Sequence, residues 1–233
     1  RGLTAAYRNV GARWADLAPL KRAERPNIPE LEPSFYGFTD ADMETVFNTS
    51  NTFFGKETMP LRELLNALRE TYCGTIGAEY MYITDQGQKR WWQQKLESAR
   101  AKPQLSAEQK KHVLERLTAA EGLERFLHTK YVGQKRFSLE GGESFIVAMD
   151  ELVNQAGKQG VQEIVIGMAH RGRLNVLVNT LGKMPGMLFA EFDHTAPEEL
   201  PAGDVKYHQG FSSDVTTAGL VDQLVHCHDE ALA

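Results

Sequence analysis

The chain is nearly devoid of cysteine: Cys73 and Cys227 are the only two in 233 residues. Two thiols cannot build a disulfide framework, and usage this sparse points to a reducing compartment. Long apolar runs are missing as well. No stretch of ~18 residues is apolar throughout, so nothing reads as a membrane-spanning helix. Excess positive charge is absent: 26 Lys and Arg stand against 31 Asp and Glu, a net charge of -5 that argues against a nucleic-acid surface. The opening Arg1-Gly2-Leu3-Thr4 offers neither an initiator Met nor the apolar core of a signal peptide, so the chain reads as a piece of a longer protein. No repeat or low-complexity tract is visible. What remains is ordinary globular composition, 42% apolar and 24% charged, enough for one core or two small ones.

The most informative stretch is Gly167-Met168-Ala169-His170-Arg171-Gly172-Arg173-Leu174-Asn175-Val176-Leu177. It follows the apolar run 161–166, so a buried strand over 161–168 is expected to turn straight into a helix. Leu174, Leu177, Val178 and Leu181 make one apolar helical face, and Gly182 is a natural stop. Helix N-termini carry unpaired N–H groups and a positive dipole end, so His170, Arg171 and Arg173 predict an anion site there. Open α/β sheets bind ligands at this end of their strands.

Upstream, the spacing predicts a helical front: a short helix over 4–17, a proline-punctuated connector over 19–33 and an acidic helix start at Thr39-Asp40-Ala41-Asp42. Pro60 at the first helical position precedes Leu61, Leu64, Leu65, Leu68 and Tyr72 on one face. Ser106 and Gln109 form a capping box for a helix through Val113, Leu114 and Leu117, with Gly122 a possible interruption before Leu123, Phe126 and Leu127. Beyond Tyr131 the pattern alternates: a strand at Phe137-Ser138-Leu139, a helix from Ser144 carrying Phe145, Ala148, Met149 and Leu152, then the strand beginning at Val161. That order predicts a βαβ unit and a parallel sheet.

Three ordered motifs are more specific. Lys135-Arg136-Phe137-Ser138-Leu139-Glu140-Gly141-Gly142-Glu143-Ser144, the 167–177 motif, and Gly203-Asp204-Val205-Lys206-Tyr207-His208 closely resemble E1 components of the 2-oxoglutarate dehydrogenase complex. Gly210-Phe211-Ser212-Ser213-Asp214 resembles the bacterial form, and the resemblance covers residues 1 to about 214, including Glu79-Tyr80-Met81 and Trp91-Trp92.

The resemblance implies an α/β chain with a helical N-terminal region over 1–125. The start of a thiamine-diphosphate-binding, transketolase-like parallel-sheet domain follows over 126–214, truncated before a divergent tail at 215–233. It implies an oxidative decarboxylase of 2-oxoglutarate that passes a succinyl group to the lipoyl group of the E2 dihydrolipoyl succinyltransferase. That parent is a homodimer, cytoplasmic in bacteria and in the mitochondrial matrix in eukaryotes, with no nucleic-acid or membrane partner. His170 and His208 are then catalytic and substrate-binding, Ser212 lies near the substrate carboxylate, and Arg171 contacts thiamine diphosphate. The cofactor takes up the electrons as CO2 leaves; histidines suit a developing alkoxide, and arginine suits a diphosphate. After Asp214 the family continues through Asn-Pro-Ser-His-Leu-Glu and the Gly-Asp and Asn-Asn motifs for Mg2+. This chain instead reads Val215-Thr216-Thr217-Ala218-Gly219-Leu220, so the Mg2+ ligands are absent and the fragment is expected to be inactive.

Simpler readings stand beside these. His170 alone reads equally as a core histidine, His208 as a surface residue, and Ser212-Ser213 as a turn. Arg173 reads as a structural ion-pair partner, and Glu140 and Glu143 as charges complementing a helix start. Trp91 and Trp92 read as packing or docking residues. His226-Cys227-His228-Asp229-Glu230 has metal-ligating residue types, but crowded together without a distant partner. Two other functions therefore stay open: a folded, non-catalytic module, and a phosphate- or carboxylate-binding α/β protein built on the Arg171 turn.

Overall fold

The computed structural model describes residues 2–21, 24–134, 136–193, 195, 210–216 and 222–228, with 216 and 222–228 given as backbone. They fall into two compact units, 1–104 and 105–233.

In the first unit, α1 (Gly2–Val10) runs into a 3-10 turn at Gly11–Trp14, which ends the expected first helix early. A Cβ on Gly11 would lie 2.7 Å from Tyr72 Cβ, so the chain changes course where two backbones pass closely. The proline-rich connector forms 3-10 turns at Pro29–Leu31 and Pro33–Tyr36. The acidic helix start is a single 3-10 turn at Asp40–Asp42, closed by a Thr39–Asp42 capping box. Strands β1 (Val46–Asn48) and β2 (Thr58–Pro60) pair antiparallel and were not evident in the sequence. Helix α2 (Leu61–Tyr72) buries Leu61, Leu64, Leu65, Leu68 and Tyr72, the predicted face, and Pro60 stands at its N-cap. These side chains pack with Leu3, Tyr7, Ile28, Leu31 and Met59. Helix α3 (Gln86–Ser98) is capped by Asp85, whose carboxylate accepts from the Gln88 amide at 2.7 Å.

At the centre of this unit lies Glu97, fully buried. Its carboxylate accepts from Arg8 Nε (2.8 Å) and Nη2 (3.0 Å), the Tyr72 hydroxyl (2.7 Å) and the Phe53 amide (2.9 Å). Burial works against the Arg8 charge, but Glu97 outweighs it and the guanidinium pKa is raised. Nearby Cys73 is a buried free thiol pushed up to about 11 by desolvation.

Burial also raises the pKa of Tyr7, Tyr72 and Tyr80, reinforced at Tyr72 by the Glu97 charge. A tyrosine whose folded pKa is raised contributes stability that is complete below its unfolded pKa of ~10 and is lost as pH rises through the folded value. In alkaline titration these phenols are expected to ionise together with loss of helical circular dichroism, in one cooperative step. Gradual ionisation of all tyrosines while the helices persist would contradict the buried cluster.

In the second unit, α4 (Ala107–Lys130) is an unbroken helix of 24 residues opened by the predicted Ser106–Gln109 capping box; Gly122 does not interrupt it. Ala120, Leu123, Glu124 and Leu127 form its buried side, whereas Leu114 is largely exposed. Because that side packs on the following helices, the helical-front boundary expected at 125 falls inside an element of the second unit.

The expected strand at Phe137-Ser138-Leu139 is an irregular segment. Its polar backbone groups are taken by other partners: the Leu139 amide by Glu124, the Phe137 carbonyl by the Gly172 amide, and the Ser138 carbonyl by Arg171. With them committed, no ladder forms and the first strand of the predicted βαβ unit is missing. Helix α5 (Ser144–Lys158) starts where predicted but buries Ile146 and Val153, leaving Phe145 and Leu152 exposed. The segment is apolar on more than one face, so spacing alone could not select the packed one.

Strand β3 (Glu163–Gly167) lies in the predicted run but is not the buried strand expected over 161–168: only Ile166 is buried, and Val165 is 59% exposed. Helices α6 (Arg173–Asn179) and α7 (Pro185–Phe192) follow, with Gly182 at φ +78° as the predicted stop. Strands β4 (Phe211–Thr216) and β5 (Asp222–His228) complete a sheet of order β3-β5-β4. The β3–β5 pair is parallel and the β4–β5 pair antiparallel, so the sheet is mixed rather than parallel throughout. Residues of the segment expected to diverge thus supply the middle strand. Ile164, Ile166, Phe211 and Val215 face the core with Ile146, Val153 and Val176. One-sided packing explains the exposed Val165. The architecture is mixed helix with a small sheet, roughly α/β.

Candidate functional site

The sheet register defines one end of the second unit. Gly167 of β3 stands opposite His228 of β5, and Phe211 of β4 opposite Cys227. The C-terminal ends of β3 and β5 and the start of β4 therefore share an edge. Met168 to Gly172 leave β3 at that edge.

His170 is half-buried, its ring stacked on Phe137 with centroids 5.1 Å apart. Arg171 is exposed, and its Nη1 donates to the Ser138 carbonyl at 2.7 Å. Gly172 makes the turn at φ +80°, a conformation that favours glycine, and a Cβ there would press on the end of the Leu139 side chain at 2.7 Å. Arg173 turns inward, 1% exposed, and donates to the Met168 carbonyl. That bond ties it to the end of β3, to a backbone carbonyl rather than to the ion-pair partner read for it.

At the expected anion site two of the turn's amides are already bonded. The Gly172 amide donates to the Phe137 carbonyl and the Arg173 amide to the His170 carbonyl, both at 3.1 Å. Helix α6 has only seven residues. What the turn offers an anion is the Arg171 guanidinium, with the Gly172 and Arg173 amides already engaged.

His208 lies outside the described residues. Ser212 is exposed in β4, opposite His226 of β5, which in turn stands opposite Val165 of β3. Ser212 therefore shares the sheet face of Val165, two strands away. Its neighbour Ser213 donates through Oγ to the Leu181 carbonyl. Buried Lys183 pairs with Glu191 at 2.7 Å and lies 5.9 Å from the Phe211 ring. These contacts tie the start of β4 to the α6–α7 connection. Glu140 and Glu143 are local: Glu140 pairs with Arg136 at 3.3 Å, and Glu143 accepts from the Gly141 amide at 2.9 Å. His226 to His228 fall in β5, and among the described residues no group of three or more His, Cys, Asp or Glu could hold a metal ion.

Sequence reasoning missed Glu124. This carboxylate, 2% exposed, binds Arg136, the Leu139 amide (3.1 Å) and Asn175 Nδ2 (3.1 Å). The signal was present: Glu124 falls in the helical stripe of Ala120, Leu123 and Leu127, and a carboxylate on an apolar stripe demands a partner.

No family model matches the chain. Among curated proteins it is 74% identical over 217 residues to a 2-oxoglutarate dehydrogenase E1 component of Cupriavidus necator, covering 93% of this chain and 23% of that protein. Identity to the protein of the same description from Azotobacter vinelandii is 54% over 217 residues, 93% of this chain and 23% of that protein. For Haemophilus influenzae the match is 49% over 211 residues, 90% of this chain and 22% of the relative. The chain thus spans less than a quarter of the length of these relatives.

Proposed function

This chain belongs to the family of 2-oxoglutarate dehydrogenase E1 components, and from that premise we propose that it supplies part of an enzyme that oxidatively decarboxylates 2-oxoglutarate with thiamine diphosphate. The succinyl group passes to the lipoyl group of an E2 succinyltransferase within the complex, and the parent enzyme is a homodimer. The second unit contributes the beginning of its diphosphate-binding domain. The observation that carries this reading is the His170–Arg171 turn, a half-buried imidazole and an exposed guanidinium side by side at the end of β3.

His170 donates from its imidazole to the oxygen that gains negative charge at the 2-oxo carbon, with His208 as the second donor. Ser212 binds the substrate carboxylate. A donor aimed at developing charge acts on the barrier rather than on ground-state affinity. Thiamine diphosphate, when bound, supplies the electron sink for loss of CO2. The described residues fit its diphosphate in part: Arg171 presents a fork suited to phosphate oxygens, while the Gly172 and Arg173 amides are engaged elsewhere. They offer no ligand cluster for Mg2+.

In the full-length enzyme, His170→Ala and His208→Ala are each expected to lower kcat for decarboxylation at least ~10-fold with the fold retained. Wild-type kcat/KM in either variant would remove that histidine from the reaction.

The alternative of a phosphate- or carboxylate-binding protein draws on the same Arg171. It separates from the enzyme reading because it requires no effect of the histidines on turnover.

A further inference from the structure

Glu124 reaches the candidate site from α4 without belonging to it. Its two carboxylate oxygens serve three segments: Oε2 accepts from Arg136, and Oε1 accepts from the Leu139 amide and Asn175 Nδ2, each at 3.1 Å. Arg136 and Leu139 bracket Phe137 and Ser138, and those two residues hold the turn. The Phe137 ring stacks on His170, its carbonyl accepts from the Gly172 amide at 3.1 Å, and the Ser138 carbonyl accepts from Arg171 at 2.7 Å. Asn175 fixes the opposite side, since it lies on α6 directly after the turn. The segment 136–139 lies outside any strand, and these bonds tie it to α4 and to the turn.

We propose that Glu124 is the positioning residue of the His170–Arg171 turn: one buried carboxylate sets the 136–139 segment, and that segment sets the direction of the imidazole and the guanidinium. The stacked imidazole follows the Phe137 ring, and displacement of ~1 Å in a reacting constellation can cost ~10²-fold in rate. A consequence for turnover rests on the reading of His170 given above; the placement itself does not.

The test uses both the 233-residue chain and the full-length enzyme. Glu124→Gln keeps the side-chain size and one acceptor oxygen but removes the charge that holds Arg136. By NMR of the 233-residue chain, the His170 ring resonances are expected to move in Glu124→Gln and in the reference variant Phe137→Leu. Those of His112, near the start of α4 and paired with Asp150, are expected to stay in place. Partial return in Glu124→Asp would mark a positional effect. Should Glu124→Gln fail to fold, Arg136→Gln decides, since it loosens the same segment while Leu139 and Asn175 keep their acceptor. Unchanged His170 resonances in a folded variant overturn the proposal.

In the full-length enzyme, Glu124→Gln is expected to lower kcat ~10-fold while KM for 2-oxoglutarate changes less than ~2-fold, as for a misaimed donor. Unchanged kcat in Glu124→Gln, beside lowered kcat in His170→Ala, overturns the positioning role and leaves the catalytic reading intact. Unchanged kcat in His170→Ala removes the catalytic reading, and the NMR result still decides what Glu124 holds.

Discussion

Replacing Glu97 by alanine is expected to destabilise the first unit by ~3–5 kcal/mol, a large part of the ~5–15 kcal/mol that holds a typical domain. Four donor groups converge on this carboxylate: two Arg8 nitrogens, the Tyr72 hydroxyl and the Phe53 amide. The Arg8 side chain is only 10% exposed, so the substitution leaves a buried cation with the Asn51 carbonyl alone, the Tyr72 hydroxyl with Tyr80, and takes the acceptor from the Phe53 amide. Losing one partner costs more than never having the pair, because the survivor remains desolvated. The double variant Arg8→Met/Glu97→Leu should therefore be less destabilised than Glu97→Ala. Urea unfolding followed by circular dichroism measures both. A loss under ~1 kcal/mol for Glu97→Ala, within the range of exposed ion pairs, would mean that the pair is not buried in solution.

The second large effect is an absence of turnover. The 233-residue chain, supplied with thiamine diphosphate, Mg2+, 2-oxoglutarate and an artificial electron acceptor, is expected to show no decarboxylation above the buffer rate. Arg171 is the exposed cation of the turn, and the Gly172 and Arg173 amides beside it are already bonded to Phe137 and His170. A diphosphate with its metal needs more compensation than one guanidinium gives. Positioning can account for ~7–11 kcal/mol of a barrier, and it requires walls on all sides of the reacting atoms. The described residues provide one such wall, and the chain spans 23% of the Cupriavidus necator relative. Weak anion binding at Arg171 is compatible with this. Turnover that disappears in the His170→Ala version of the same chain would show the reasoning to be mistaken.

Much of the helical framework was legible because it is encoded locally. The leucine stripe of α2, the Ser106–Gln109 capping box, the start of α5 at Ser144 and the stop at Gly182 are each written within a few residues. Side-chain spacing served less well where a segment was apolar all round, as in α5, whose buried face is that of Ile146 and Val153. It failed where distant chain decides the outcome. Phe137 to Leu139 has strand-like composition, but its backbone is claimed by Glu124, Arg171 and Gly172. Strands β1 and β2, three residues each, are too short to show a period. At the candidate site, the strand-to-turn passage and the adjacency of His170 and Arg171 were legible. The bond of the Gly172 amide to Phe137 depends on a segment beyond the motif.

The buried carboxylates also bear on the order of events as the chain folds. Glu97 bonds partners 89, 44 and 25 positions away. Glu124 bonds partners 12, 15 and 51 positions away. Neither set can close until helices formed from local signals have met, because the loop-closure entropy must be met first. Contacts made after the rate-limiting barrier leave the folding rate nearly untouched and act on the reverse step. Both nodes therefore serve as latches. They set how long each unit stays shut once assembled, and hence how long it resists a protease that waits for it to open.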